Sequence, residues 1–147
     1  MKTVDIYTDG ACSGNPGKGG WAAILIYNGV EKAISGGAPE TTNNRMELLA
    51  IIEGLRALKE GCNVNLYSDS AYALEAFNKG WIDEWQKNKW KTSSKQDVKN
   101  KDLWSALLIE IKKHNMNWIK VKGHADNEYN NRCDEMARAA IKALPNV

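Results

Sequence analysis

Cysteine is scarce in this sequence, and the cysteines present lack any metal-binding spacing. Cys12, Cys62 and Cys133 are an odd number, with no Cys-x-x-Cys pair and no Cys/His pattern typical of zinc. A disulfide framework and a structural zinc site are therefore excluded. We interpret the thiols as small, reduced apolar residues, which is typical of a cytoplasmic protein.

Long hydrophobic runs are also missing. The longest, residues 21–27, is far shorter than the roughly 20 residues of a membrane-spanning helix, and the first five residues contain no apolar segment of the signal-peptide kind. We expect a cytoplasmic protein without membrane association. Motifs for a phosphate-binding P-loop and for a serine nucleophile elbow are absent as well, which argues against those two classes of enzyme.

The composition is that of an ordinary globular protein. The chain has 147 residues, 43% of them hydrophobic and 26% charged, so we expect a single domain over 1–147, and a monomer. The formal net charge is only +2. Any binding of a polyanion must therefore depend on local patches of charge.

Hydrophobic periodicity predicts ten elements in the order β-β-β-α-β-α-α-α-β-α. The strands are expected at 4–8, 21–27, 30–35, 64–68 and 117–122, and the glycine-rich stretch 10–20 is expected to be a long hairpin loop. Helices are expected at 44–60, 70–78 and 81–90, around 103–111, and at the end of the chain. This order predicts an α/β fold with a mixed five-stranded sheet flanked by helices.

Two of the predicted strands end in the same pattern. Residues 6–9 (IYTD) and 66–69 (LYSD) each place an apolar residue, a tyrosine, a hydroxyl residue and an aspartate in succession. If the two strands are parallel neighbours, Asp9 and Asp69 emerge at the carboxyl edge of the sheet, where ligand sites are expected. Two such carboxylates repel each other unless a cation neutralises them.

Each acidic candidate also has a structural interpretation. Asp9-Gly10 is typical of a turn, and Asp69 could cap the following helix. Glu47 lies three residues after Asn44, as in a capping box, or it could point towards the strand ends. Asp134 precedes Arg138 by four residues, an ordinary ion pair on a helix surface.

Residues 79–101 carry a concentrated positive charge. This segment contains seven lysines and three acidic residues, a local net charge of +4, together with Trp81, Trp85 and Trp90. Lysines interleaved with aromatic residues suit a nucleic-acid backbone. The alternative is a solvated protrusion whose tryptophans pack inward.

Five stretches together resemble the type 1 ribonuclease H family. They are YTDGACSGNPG at 7–17, TTNNRME at 41–47, SDS at 68–70, KGHA at 122–125 and NRCDE at 131–135. They occur in the family's order and span nearly the whole chain. The resemblance implies the ribonuclease H-like fold, with the basic segment 79–101 as its protrusion. It also implies metal-dependent endonucleolytic cleavage of the RNA strand of RNA–DNA hybrids, leaving 5′-phosphate and 3′-hydroxyl ends.

The resemblance implies a role for each matched position. The family's four acidic metal ligands fall on Asp9, Glu47, Asp69 and Asp134, and its mobile-loop histidine, a catalytic residue, on His124. The implied cofactor is Mg²⁺, as two ions in the substrate complex, with Mn²⁺ as an alternative. The positions that we expect to contact the hybrid are Cys12, Asn15, Thr42, Asn43, Asn44, Trp81, Lys87, Lys89 and Lys91.

Three positions depart from the family pattern. Glu40 stands where many bacterial members have a basic residue, Glu84 replaces an asparagine that helps to bind the DNA phosphate, and Ala71 replaces a glutamine that contacts substrate. We expect Glu40 and Glu84 to weaken hybrid binding. Two other functions remain open, namely a non-catalytic hybrid-binding module and a related nuclease acting on duplex DNA.

Overall fold

The structure is a computed structural model that describes residues 1–122 and 127–145. Within these residues the elements follow the predicted order: β1 (Lys2–Gly14), β2 (Gly17–Tyr27), β3 (Val30–Thr41), α1 (Asn43–Arg56), β4 (Cys62–Ser68), α2 (Ala71–Asn78), α3 (Trp81–Lys87), α4 (Lys101–Ile111), β5 (Asn115–Lys120) and α5 (Glu128–Lys142). No helix in the described part of the chain has both the length and the apolar character needed to cross a membrane.

The five strands form one sheet in the order β3-β2-β1-β4-β5. The first three strands pair antiparallel through β2, whereas β1, β4 and β5 run parallel. This arrangement confirms the predicted mixed sheet. The parallel half brings the carboxyl ends of β4 and β5 to the same edge, next to the middle of the long strand β1.

Helices cover both faces of the sheet because the strands alternate their apolar side chains. On one face, Ile6, Leu25 and Leu66 belong to the main core with buried residues of α1, α2 and α4. On the other face, Ala22 and Ile24 pack against Cys133 and Ala137 of α5. The site described below therefore receives side chains from helices on opposite faces of one sheet.

The prediction of a long hairpin loop at 10–20 is wrong. Strands β1 and β2 continue through most of this stretch and pair as far as Gly14 and Gly17. Some of its glycines let helices approach the sheet. A Cβ atom at Gly20 would lie 2.1 Å from the backbone oxygen of Ala137 in α5, so this position admits no side chain. Close packing of helix on strand explains Gly10 and Gly20, whereas Gly14, with a φ of +88°, serves the turn between β1 and β2.

Several predicted boundaries also shift by a few residues. Helix α1 ends at Arg56 and not at residue 60, and α3 ends at Lys87 and not at residue 90. Strand β5 begins at Asn115, two residues earlier than expected. Such shifts are usual where hydrophobic periodicity alone sets an end of an element.

Candidate active site

The repeated tyrosine–hydroxyl–aspartate pattern marks two strands that are neighbours in space. Tyr7 of β1 and Tyr67 of β4 are register partners, and their rings stack with centroids 4.3 Å apart and an interplanar angle of 8°. Asp9 and Asp69 each lie two residues further along. Because the strands are parallel, the two carboxylates meet at the same edge of the sheet, as the pattern predicts.

Glycine at position 10 allows α1 to bring a third carboxylate to this edge. A Cβ atom at Gly10 would lie 2.5 Å from the backbone nitrogen of Glu47 and 2.6 Å from the carbonyl carbon of Met46. Any larger residue would push the first turns of α1 away from β1. Glu47 is consequently buried, with 5% of its surface exposed, beside Asp9.

Two of the structural alternatives for the acidic residues are wrong. Helix α1 is capped by Thr42, whose hydroxyl accepts a hydrogen bond from the Arg45 backbone N–H at 3.3 Å, so Glu47 is not part of a capping box with Asn44. Helix α2 is capped by Ser70, which accepts from the Ala73 N–H at 3.1 Å, and not by Asp69. Both carboxylates are thus left for another use.

Asp9, Glu47 and Asp69 form a compact triad. One carboxylate oxygen from each lies within 4.8 Å of the others. Asp134 of α5 lines the same cavity of about 290 Å³, although it stands outside this closest group. It also makes the predicted ion pair with Arg138 at 2.8 Å. The four acidic side chains therefore come together at one cavity, with three of them in closer contact than the fourth.

The electrostatics of the cavity oppose ionisation of its carboxyl groups. Burial, followed by the negative charge of Asp69, raises the pKa of Asp9 from 3.8 to about 7, even though its Oδ1 accepts a hydrogen bond from the Gly10 N–H at 2.9 Å. Burial and the charges of Asp9 and Asp69 also raise the pKa of Glu47 well above its ordinary value. Within the described residues no ion pair neutralises Asp9, Glu47 or Asp69. This is the arrangement expected where a bound cation supplies the missing positive charge.

The donor atoms fit a hard divalent cation. The triad offers only carboxylate oxygens, which Mg²⁺ and Mn²⁺ prefer over soft ligands. Oε2 of Glu47 is buried and has no hydrogen-bond partner among the described residues. A buried carboxylate oxygen without a partner is costly, and cation coordination would satisfy it.

Asn130 lines the acidic cavity, although no sequence motif predicts a role for it. Its side chain is 3% exposed, and its Oδ1 has no partner in the described part of the chain. The signal in the sequence is its spacing, because a residue four positions before Asp134 lies on the same face of a helix. Asn131 lines the cavity as well.

The positions expected to contact a hybrid surround the cavity to different degrees. Cys12 and Asn43 line it, and the Cys12 thiol donates to the Thr41 carbonyl oxygen at 3.4 Å. Oδ1 of Asn15 accepts from the Asn43 backbone N–H at 3.2 Å, which ties the β1–β2 turn to the start of α1. Asn44 is exposed beside them.

The catalytic histidine of the resemblance, His124, lies outside the described residues. The strand that leads to it, β5, ends at Lys120.

The basic segment forms a separate surface. Lys87, Lys89 and Lys91 line a second cavity of about 460 Å³ that contains none of the acidic residues. Lys91 is paired with Asp97. The tryptophans follow the structural alternative, because they pack against the main core and Trp85 lies between Trp90 and Trp104, with ring centroids 6.3 and 5.4 Å away. The exposed lysines, and not the indole rings, dominate this surface.

The departures from the family pattern are all on the surface. Glu40 and Glu84 are exposed, and Ala71 is half-buried at the start of α2. Their effect on hybrid binding stays a prediction.

The chain is similar to known ribonucleases H in sequence and structure. A family model described as RNase H matches residues 1–142. The Ribonuclease H of Caldanaerobacter subterraneus subsp. tengcongensis is 66% identical over 139 residues, which cover 95% of this chain and 91% of that protein. The crystal structure of LC9-RNase H1, a type 1 RNase H with the type 2 active-site motif, superimposes with a TM-score of 0.88 at 28% identity, covering 99% of this chain and 74% of the other. LC11-RNase H1, solved in complex with an RNA/DNA hybrid, has the same fold, with a TM-score of 0.72 at 22% identity over 95% of this chain and 96% of its own.

Proposed function

We propose that this chain hydrolyses the RNA strand of RNA–DNA hybrids in the acidic cavity. The chain belongs to the RNase H family, whose members are endonucleases with this activity. The metal ligands in this proposal are Asp9, Glu47, Asp69 and Asp134. The observation that carries it is the triad, in which one oxygen of each of three carboxylates lies within 4.8 Å of the others without a basic partner among the described residues. A structural role alone would leave this mutual repulsion uncompensated.

Mg²⁺ is the proposed cofactor, as two ions in the substrate complex, with Mn²⁺ as the alternative. Bound there, such cations supply Lewis-acid activation of a water molecule and stabilisation of the leaving 3′-oxygen. The protein holds the carboxylates in place before any ligand arrives: Gly10 admits Glu47, and the parallel pairing of β1 with β4 aligns Asp9 with Asp69. Proton release from Asp9, whose pKa is raised to about 7, accompanies cation binding near neutral pH.

His124 is proposed to assist proton transfer or product departure. A histidine titrates near neutral pH and can both accept and donate a proton. His124→Ala should slow turnover by a factor of about 10² to 10⁴, the usual range for lost general acid–base assistance. Single-turnover measurements with a labelled hybrid test this, and an unchanged rate would remove His124 from the mechanism.

Contacts to the hybrid are proposed on two surfaces. Around the cavity, short polar side chains are suited to contacting the 2′-hydroxyl groups of the RNA strand and the sugar–phosphate backbone. These side chains belong to Asn15, Thr42, Asn43 and Asn44, and Cys12 lies beside them. On the protrusion 79–101, Lys87, Lys89 and Lys91 would neutralise phosphates of the hybrid, with Trp81 at the base. Base preference should be weak, because backbone contacts carry little sequence information.

The remaining proposals concern the state of the protein. We propose that it works as a monomer and that residues 1–147 act as one domain with a protrusion. We also propose that it acts in the cytoplasm, where its three free cysteines stay reduced.

The test is to incubate the protein with an end-labelled RNA–DNA hybrid, with and without Mg²⁺. The expected result is Mg²⁺-dependent cutting of the RNA strand only, with little activity in Asp69→Asn and near-normal activity in Asp5→Asn. Asp5 is a matched control because it lies on β1 but does not line the acidic cavity.

The alternative functions give different outcomes in the same experiment. Binding of the hybrid without cleavage would indicate a non-catalytic binding module and contradict the proposal. Cleavage that persists when deoxyribose replaces ribose throughout would indicate a nuclease for duplex DNA.

A further inference from the structure

A third cavity, distinct from the one on the basic segment, adjoins the acidic cavity. It has a volume of about 610 Å³ and is lined by Asp69, Lys120, Val121 and Lys122. Asp69 also lines the acidic cavity. Asp69 therefore lies between a cavity lined by acidic residues and a cavity lined by two lysines.

The end of β5 sets the position of the two lysines. Ser68, the last residue of β4, is the register partner of Lys120, and the Val121 backbone N–H donates to the Ser68 carbonyl oxygen at 3.0 Å. Residues 120–122 therefore run directly alongside the point where the chain turns into Asp69. The lysines reach this edge because β5 ends level with β4, at Lys120 beside Ser68, and the chain continues from there to Lys122.

Neither lysine has an ion pair with another residue in the described part of the chain. None of the ion pairs between described residues includes Lys120 or Lys122. Both side chains are exposed. Two ammonium groups without an ion pair among residues 1–122 and 127–145 repel each other and attract an anion.

The neighbouring site indicates which anion would bind. If a scissile phosphodiester lies at the acidic cavity, an adjacent phosphate of the same strand lies outside that cavity, and Asp69 forms part of the cavity wall. The lysine-lined cavity adjoins the acidic one at Asp69, and its two lysines outweigh the charge of that one carboxylate. A lysine contact with a phosphate is a point-charge interaction that needs no particular base.

We propose that Lys120 and Lys122 bind the phosphodiester adjacent to the scissile one on the RNA strand, an inference that rests on the proposed function. They are positioning residues, because they hold the strand against the acidic cavity without touching the reacting atoms. Their charge also offsets the repulsion between the backbone of the RNA and the carboxylates of the site.

The experiment compares Lys120→Gln, Lys122→Gln and the double variant with Lys112→Gln. Lys112 is a matched control, since it is an exposed lysine at the opposite end of β5, where it caps α4. The hybrid contains few ribonucleotides, so that cleavage falls at one mapped linkage. We expect the double variant to raise KM about tenfold, with kcat changed less than threefold. The slope of log affinity against log salt, measured in chelator with intact hybrid, should fall by about 1.

A neutral methylphosphonate placed in turn on each side of the scissile linkage identifies the contact. At one of the two positions the methylphosphonate should weaken hybrid binding by the wild type and by Lys112→Gln. At that same position it should not further weaken hybrid binding by the double variant. Equal losses in wild type and double variant at both positions would overturn the inference. So would an unchanged salt slope.

Failure of the proposed function has a different result. In that case the wild type would not cut the hybrid in Mg²⁺, whereas the binding measurements in chelator would still report on the lysines. A urea unfolding curve for each variant distinguishes a lost contact from a lost fold, because Lys120 and Lys122 are exposed and their replacement should leave the midpoint unchanged.

Discussion

Replacing Asp9 by asparagine should stabilise the metal-free protein at alkaline pH while abolishing its activity. Asparagine has nearly the same shape, and its Oδ1 can still accept the hydrogen bond that the Gly10 N–H donates at 2.9 Å. What the substitution removes is a carboxylate that is 5% exposed and close to two others. The gain in stability should therefore reflect relief of burial and repulsion.

The pKa of Asp9 determines the size and sign of this effect. Its value of about 7 in the folded protein, against 3.8 ordinarily, means that between these pH values the folded chain holds a proton that the unfolded chain has lost. Asp9 therefore costs no stability below pH 3.8, and its cost grows as pH rises towards 7. At about 1.4 kcal/mol for each pKa unit, the ceiling is about 4 kcal/mol. We expect Asp9→Asn to recover about 2–4 kcal/mol at pH 8 and little at pH 4.

Urea unfolding in chelator at several pH values between 4 and 8 measures the free energy of unfolding directly. Asp5→Asn serves as the control, because it removes a carboxylate from the same strand outside the cavity and should give no gain that grows with pH. Adding Mg²⁺ at pH 8 should stabilise the wild type and much less the Asp9→Asn variant. The reasoning is refuted if Asp9→Asn is less stable than the wild type at pH 8, or if the difference does not change with pH.

Three further predictions follow from other contacts. Gly10→Ala should lower the free energy of unfolding by about 1–3 kcal/mol, because the added Cβ would meet the Glu47 backbone nitrogen at 2.5 Å. It should also weaken Mg²⁺ binding measured by calorimetry, and an unchanged Mg²⁺ affinity would contradict this explanation. Burial lowers the pKa of His114, whose Nδ1 accepts a backbone hydrogen bond at 3.1 Å, so its contribution is present above pH 6.5 and is lost as pH falls. His114→Gln should therefore cost more stability at pH 7.5 than at pH 5 in urea unfolding, and equal costs would refute it. Burial raises the pKa of Cys133 to about 12, so in the native protein a thiol reagent should modify Cys12 well before Cys133, as mass spectrometry of the labelled peptides would show.

Some features of the site can be predicted from local sequence. The pattern of tyrosine, hydroxyl residue and aspartate at the ends of two predicted strands indicates that Asp9 and Asp69 share an edge, and the parallel pairing of β1 and β4 confirms that edge. Local patterns were misleading where they had a second meaning. The glycines after Asp9 suggest a loop, but Gly10 and Gly20 instead admit α1 and α5 close to the sheet. The spacing of Asn44 and Glu47 suggests a capping box, but Thr42 caps α1 and Glu47 packs beside Asp9. Close packing between distant elements leaves no periodic signal.

The sequence itself determines the order of strands and helices, the mixed sheet and the identity of the acidic residues. It does so because the alternation of apolar and polar residues, helical spacing and motif order are properties of short stretches of chain. Only the tertiary structure decides how closely Glu47 approaches Asp9 and that Asp134 stands apart from the close triad. It also decides the unpartnered Oδ1 of Asn130 and the lysine-lined cavity beside Asp69. Each of these depends on two or more elements that are far apart in the chain, and on the depth to which their packing buries a charge. Burial converts ordinary carboxylates into groups that hold protons near neutral pH, and it arises only when the helices close over the sheet.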